Sequence, residues 1–143
     1  MKNVLCVILA AVLALMLTGC NGKMTGMPKY ESKEEYFGEG FQDYTDYCKY
    51  YYSESKIKEF ETHSKFKKVS VSDIEEIRSY FENFEEWVKF ENYREKYDFD
   101  DSVIKEGDYY YIFEKAGYPK YGYYDVYYVD MDQRILYFIH SDI

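Results

Sequence analysis

Apolar and polar positions follow three different rhythms along this chain, and each rhythm predicts a different element. The first is a run with no polar side chain at all, the 14 residues Val4–Leu17, behind Met1-Lys2-Asn3. Gly19, Asn21, Gly22 and Lys23 end it abruptly. A membrane-crossing helix needs roughly 20 apolar residues, so this run is too short to span. A positive start, a short apolar stretch and small residues are the parts of a secretory signal peptide. Residues 21–35 then hold Gly22, Gly26, Pro28 and several charges with few large apolar groups, which predicts a flexible tether.

The second rhythm steps by three and four. Phe41, Tyr44, Tyr47, Cys48 and Tyr51 recur at that spacing and predict a helix of about three turns, although Tyr50-Tyr51-Tyr52 would also suit a strand. Glu54 to Lys65 reads as a second short helix with Ile57 and Phe60 inward, and Phe66 to Val71 as extended chain or a turn. The clearest helix follows. Ser72 with Glu75 has the capping-box spacing, and Asp73, Glu75 and Glu76 put negative charge in the first turn. Ile74, Ile77, Phe81, Phe84 and Val88 form one apolar stripe, widened by Tyr80 and Trp87, to about Glu91.

The third rhythm belongs to strands. Asp108–Glu114, Tyr123–Val129 and Ile135–His140 are rich in Tyr, Val, Ile and Phe, separated by a Gly117-Pro119-Gly122 loop and the polar turn Asp130–Arg134. The expected architecture is α+β: two to three N-terminal helices packed on a C-terminal three-stranded antiparallel sheet. Both faces of these strands carry rings, with Tyr109, Tyr111 and Phe113 opposite Tyr110 and Ile112. A half-covered sheet shows polar residues on its free face. Either a helix covers the second face, or Tyr123, Tyr127 and Tyr110 serve as a ligand surface.

The apolar run ends in Leu17-Thr18-Gly19-Cys20, which resembles the lipobox of bacterial lipoproteins. The resemblance implies that residues 1–19 are removed, that diacylglycerol is attached to the Cys20 thiol, and that the protein sits on the cell membrane facing away from the cytoplasm. Two acyl chains on one residue anchor stably, since each buried methylene contributes roughly 0.8 kcal/mol. Residues 36–143 remain as one domain of ordinary size. This domain is similar to small uncharacterised lipoproteins of low-GC Gram-positive bacteria, a likeness that implies no activity.

Charge and cysteine content narrow the picture. The chain carries a net charge of −9, and loss of Lys2 with the leader makes the remainder one unit more negative, which argues against nucleic acid as a partner. Of three cysteines, Cys6 leaves with the leader and Cys20 goes to lipid. Cys48 has no disulfide partner, so packing must stabilise the domain. All 20 tyrosines lie beyond the leader, where they build a core or a contact surface.

No motif names a reaction. Cys48 with His63 or His140 lacks the surroundings of a nucleophilic triad. Asp98–Asp101 and Asp130–Asp132 are spaced unlike a calcium loop and read as a helix end and a hairpin turn. No catalytic residue, cofactor or metal site is expected. The chain reads as a membrane-anchored, non-enzymatic interaction module with a protein or glycan partner. The alternatives are an envelope hydrolase using paired carboxylates, such as Asp125 with Asp108, or an immunity-type inhibitor.

Overall fold

The computed structural model describes residues 26–39 and 43–143. The leader and Cys20 lie outside the described residues. So does Phe41.

One six-stranded antiparallel sheet organises the domain, and this overturns the expected three-stranded one. The strands are β1 (Ser32–Phe37), β2 (Tyr44–Tyr51), β3 (Lys67–Lys68), β4 (Tyr109–Glu114), β5 (Tyr123–Asp130) and β6 (Ile135–Asp142), in the spatial order β1-β2-β6-β5-β4-β3. The helices lie in the middle of the chain: α1 (Glu54–Ile57), continued by a 3-10 turn over Lys58–Thr62, and α2 (Ile74–Val88).

The correction starts at residues 44–51, expected as a helix and observed as β2. This strand is covered on both faces, so nearly every position is buried and no alternation marks it. Tyr47 turns to one side, toward α2, while Cys48 and Tyr50 turn to the other, toward α1. Its Tyr-rich composition suits a pleated surface better than a helix. The second difference is β1. The segment 20–35 was expected as tether, yet Ser32–Phe37 pairs along β2 from Ser32↔Tyr51 to Phe37↔Asp46. Lys33, Glu34 and Glu35 read as linker because an edge strand exposes its charged side chains.

α2 covers the first face. Ile77, Tyr80, Phe81, Phe84 and Val88 are buried against Tyr124, Val126, Tyr128 and Ile139. Its start differs from the expected one. The box forms between Ser70 and Asp73, where the Ser70 N–H donates to Asp73 Oδ2 at 2.8 Å, so a 3-10 turn (Val71–Asp73) precedes the α-helix. The helix also stops at Val88, before Glu91. Glu91 Oε1 instead accepts from the Thr45 N–H (3.2 Å) and hydroxyl (3.0 Å), tying the chain back to β2. Trp87 was expected in the apolar stripe but stands on the exposed side, next to Phe90.

The second face is covered by the α1 segment. Ile57 and Phe60, with Phe66 from the following loop, pack on Cys48, Tyr50, Tyr127, Leu136 and Phe138. Met27 and Tyr30 join this cluster from the N-terminal side. That cover explains why both faces of the C-terminal strands carry rings. It does not reach the far end of the face, beyond Tyr127.

Candidate functional site

Beyond the α1 cover, alternation along β4 and β5 brings Tyr111, Phe113, Tyr123, Asp125 and Tyr127 to the second face. With Lys65 they line a cleft of about 320 Å³. Phe113 is 41% exposed, Tyr123 is half-buried, and Tyr127 forms the floor at the edge of the buried cluster. Lysines flank the rings. Lys115 Nζ lies 4.6 Å from the Tyr123 ring centroid and Lys65 Nζ 6.0 Å from that of Tyr111. Such contacts contribute about 0.5–1 kcal/mol each at exposed sites. The cleft thus offers flat apolar faces with the Lys65 ammonium at its rim and the buried Asp125 in its lining.

Asp125 is held in place by its neighbour on β6. In register, Asp125 and Asp46 flank His140 from β5 and β2. His140 is 0% exposed, and its Nδ1 lies 2.6 Å from Asp125 Oδ1. The His140 Nε2 is buried and has no hydrogen-bond partner among the described residues. The rings of Tyr44 and Tyr123 each pack 5.2 Å from the imidazole. The imidazole fixes the carboxylate, and the rings hold it away from water.

Other sequence candidates are dispersed. Of the three tyrosines considered as one surface, Tyr123 and Tyr127 share the second face, whereas Tyr110 is buried on the first. Burial pushes the Tyr110 hydroxyl up to about 12, and the neighbouring Asp73 charge adds to the shift. Asp108 and Asp125 do not converge. Asp108 accepts from the Tyr128 hydroxyl under the first face and from the Met131 N–H, whereas Asp125 faces His140 on the second. Burial raises the Asp108 pKa, although the bonds from Tyr128 and Met131 oppose that rise. Cys48 is buried in register with Phe138, and His140 faces Asp46 instead. His63 bridges the Gly26 carbonyl (3.1 Å) and the Lys65 N–H (3.3 Å).

The aspartate clusters hold the chain together locally. Asp98 accepts from Tyr47 and Lys49, both at 2.8 Å, and Asp100 accepts from the Ser102 N–H at 2.9 Å. Asp130 accepts from the backbones of Asp132 (3.0 Å) and Gln133 (2.9 Å), closing the β5–β6 turn. Among the described residues no group of three His, Cys, Asp or Glu is placed to hold a metal ion. Sequence reasoning missed Lys65, Phe113 and Lys115. The exposed ring at position 113 in a strand was the available signal.

Within the described residues no helix is long and apolar enough to cross a membrane. The chain matches no protein-family profile, and neither a curated protein nor a solved structure is significantly similar to it.

Proposed function

We propose that this chain is a lipid-anchored protein facing away from the cytoplasm, held through Cys20, whose folded domain is a non-enzymatic interaction module. The cleft of Tyr111, Phe113, Tyr123 and Tyr127 supports this reading. Tyr and Phe give large contact areas at low cost in conformational entropy, and the Tyr hydroxyls add adaptable hydrogen bonds. Lys65 supplies an exposed positive charge beside the rings to orient a partner group. Hydrolysis by Asp125 and Asp108 has no support in the geometry, because the two carboxylates belong to opposite faces of the sheet.

A photoreactive phenylalanine analogue at position 113, in the membrane-anchored chain, tests the module. The expected result is a discrete adduct whose yield, at partner concentrations below saturation, falls about thirtyfold in Tyr123→Ala, the effect of one interface hot spot. No adduct, or one untouched by Tyr123→Ala, would reject the cleft as the contact surface.

A further inference from the structure

The two edges of the sheet are built differently. β1, on one side, carries Lys33, Glu34 and Glu35, with ion pairs from Lys33 to Glu35 and from Lys49 to Glu34. Charge on an edge discourages further strand pairing. On the other side β3 has only two residues, paired as Lys67↔Tyr110 and Lys68↔Tyr109. Among the described residues nothing pairs with Ile112–Glu114 beyond it.

Hydrogen-bond parity shows which groups that leaves. The Lys115 N–H donates to the Tyr123 carbonyl, so odd positions of β4 face β5. The Asp108 carbonyl accepts from the Val69 N–H, so even positions face outward. Ile112 and Glu114 therefore direct their N–H and C=O groups away from the sheet. The side chains around them, Tyr111, Ile112 and Phe113, are apolar. Glu114 is the one charged residue within this stretch, and the lysines lie beside it on the shorter β3.

Two clefts lie on either side of this open stretch. One is the second-face cleft of the interaction module. The other, about 300 Å³, lies on the α2 side and is lined by Lys65, Lys67, Glu76, Tyr80, Ile112 and Glu114. Lys65 and Tyr111 line both. An added strand projects alternate side chains to opposite faces, so it would drop one set into each cleft.

We infer that β4 takes an extended segment of a partner polypeptide as a further antiparallel or parallel strand along Ile112–Glu114, with apolar side chains in the ring-lined cleft and acidic ones beside Lys65 and Lys67. This deepens, and rests on, the interaction-module reading. The acidic preference follows from charge. Lys65, Lys67 and Lys68 are exposed, and none of them forms an ion pair among the described residues. Of the acids in the α2-side cleft, Glu114 already accepts from the Tyr80 hydroxyl at 2.7 Å and Glu76 stands on α2, while Lys65 and Lys68 have no acid among their close partners in the described residues. Main-chain pairing supplies affinity in this mode, and the two clefts supply selectivity.

The test uses fluorescein-labelled hexapeptides alternating tyrosine or valine with glutamate, titrated into the full chain in detergent micelles and read by anisotropy. The glutamate peptide is expected to bind about tenfold tighter than its lysine counterpart, and Lys65→Glu with Lys67→Glu to reverse that order. Ile112→Pro removes one outward N–H and should weaken binding about tenfold in a chain that still folds, with a lowered unfolding midpoint because the Ile112 side chain also packs against the α2-side core. A glutamate peptide N-methylated at the amides facing β4 should lose binding equally, which covers the case of a misfolded proline variant. Equal binding of both charges, of the methylated peptide, or of a folded Ile112→Pro chain would overturn the inference. So would absence of binding alongside a dimer that Ile112→Pro dissolves, since a second copy would then own the edge. A position-113 adduct lost in Tyr123→Ala but kept in Ile112→Pro would preserve the module and reject strand addition.

Discussion

Lys49 shows how a single residue can hold two elements that sequence separates. It is buried on β2, yet its ammonium reaches Asp98 at 2.8 Å and Glu34 at 2.9 Å. Burial works against its charge, but the bonds to Asp98 and Glu34 outweigh that and raise its pKa. The same contact, with help from Tyr51, lowers the pKa of Glu34. The signs follow. Stability from Glu34 is present above the ordinary glutamate pKa and is lost as pH falls through the depressed value. Stability from Lys49 is present below the ordinary lysine pKa and is lost as pH rises through the elevated one. Lys49→Met should cost about 1 kcal/mol at neutral pH, because both partners are substantially solvated. Urea unfolding of the variant should also show a shallower loss between neutral pH and pH 3. An unaltered acid limb would remove Lys49 as the partner that matters.

Among the elements, α2 and the three C-terminal strands were the legible ones. The α2 stripe repeats at helical spacing with its far side solvated, so periodicity located it. β4, β5 and β6 are bounded by the Gly117–Gly122 loop and the Asp130 turn, which mark strands from outside. β2 had neither aid. Its tyrosines at positions 44, 47 and 51 mimic a helical step, and burial on both faces erases the alternation that would betray a strand. β1 was invisible for the opposite reason, being polar. Its turn toward β2 depends on Gly38, whose N–H donates to the Thr45 carbonyl at 2.9 Å. A Cβ there would lie 2.8 Å from that carbonyl and from both Glu91 carboxylate oxygens. Gly38→Ala should therefore destabilise by about 1–3 kcal/mol in thermal or urea unfolding, through overpacking against backbone. An unchanged midpoint would mean that the hairpin yields without cost.

At the scale of the molecule, the anchor and the contact surface are separate problems. If Cys20 is the whole attachment, Cys20→Ser should remain uncleaved and unlipidated, seen as a higher apparent mass and no acyl label, without altering the unfolding midpoint of the domain. A variant that was processed and anchored normally would overturn the reading. The candidate surface itself was only half readable. Tyr123 and Tyr127 could be picked from composition and period, because odd positions of one strand share a face. Lys65 could not, since it arrives from a loop more than forty residues earlier.

What the residues determined without any fold is local: an unbroken apolar run close to Cys20, one amphipathic helix, three aromatic strands and an acidic balance. Each depends on neighbours a few positions apart. Only tertiary structure decided that Tyr44–Tyr51 and the charged Ser32–Phe37 complete a six-stranded sheet, that the α1 segment covers part of its second face, and that β4 keeps an open edge between two clefts. Those outcomes rest on pairing and burial between distant segments, and strand pairing is satisfied across the chain rather than along it.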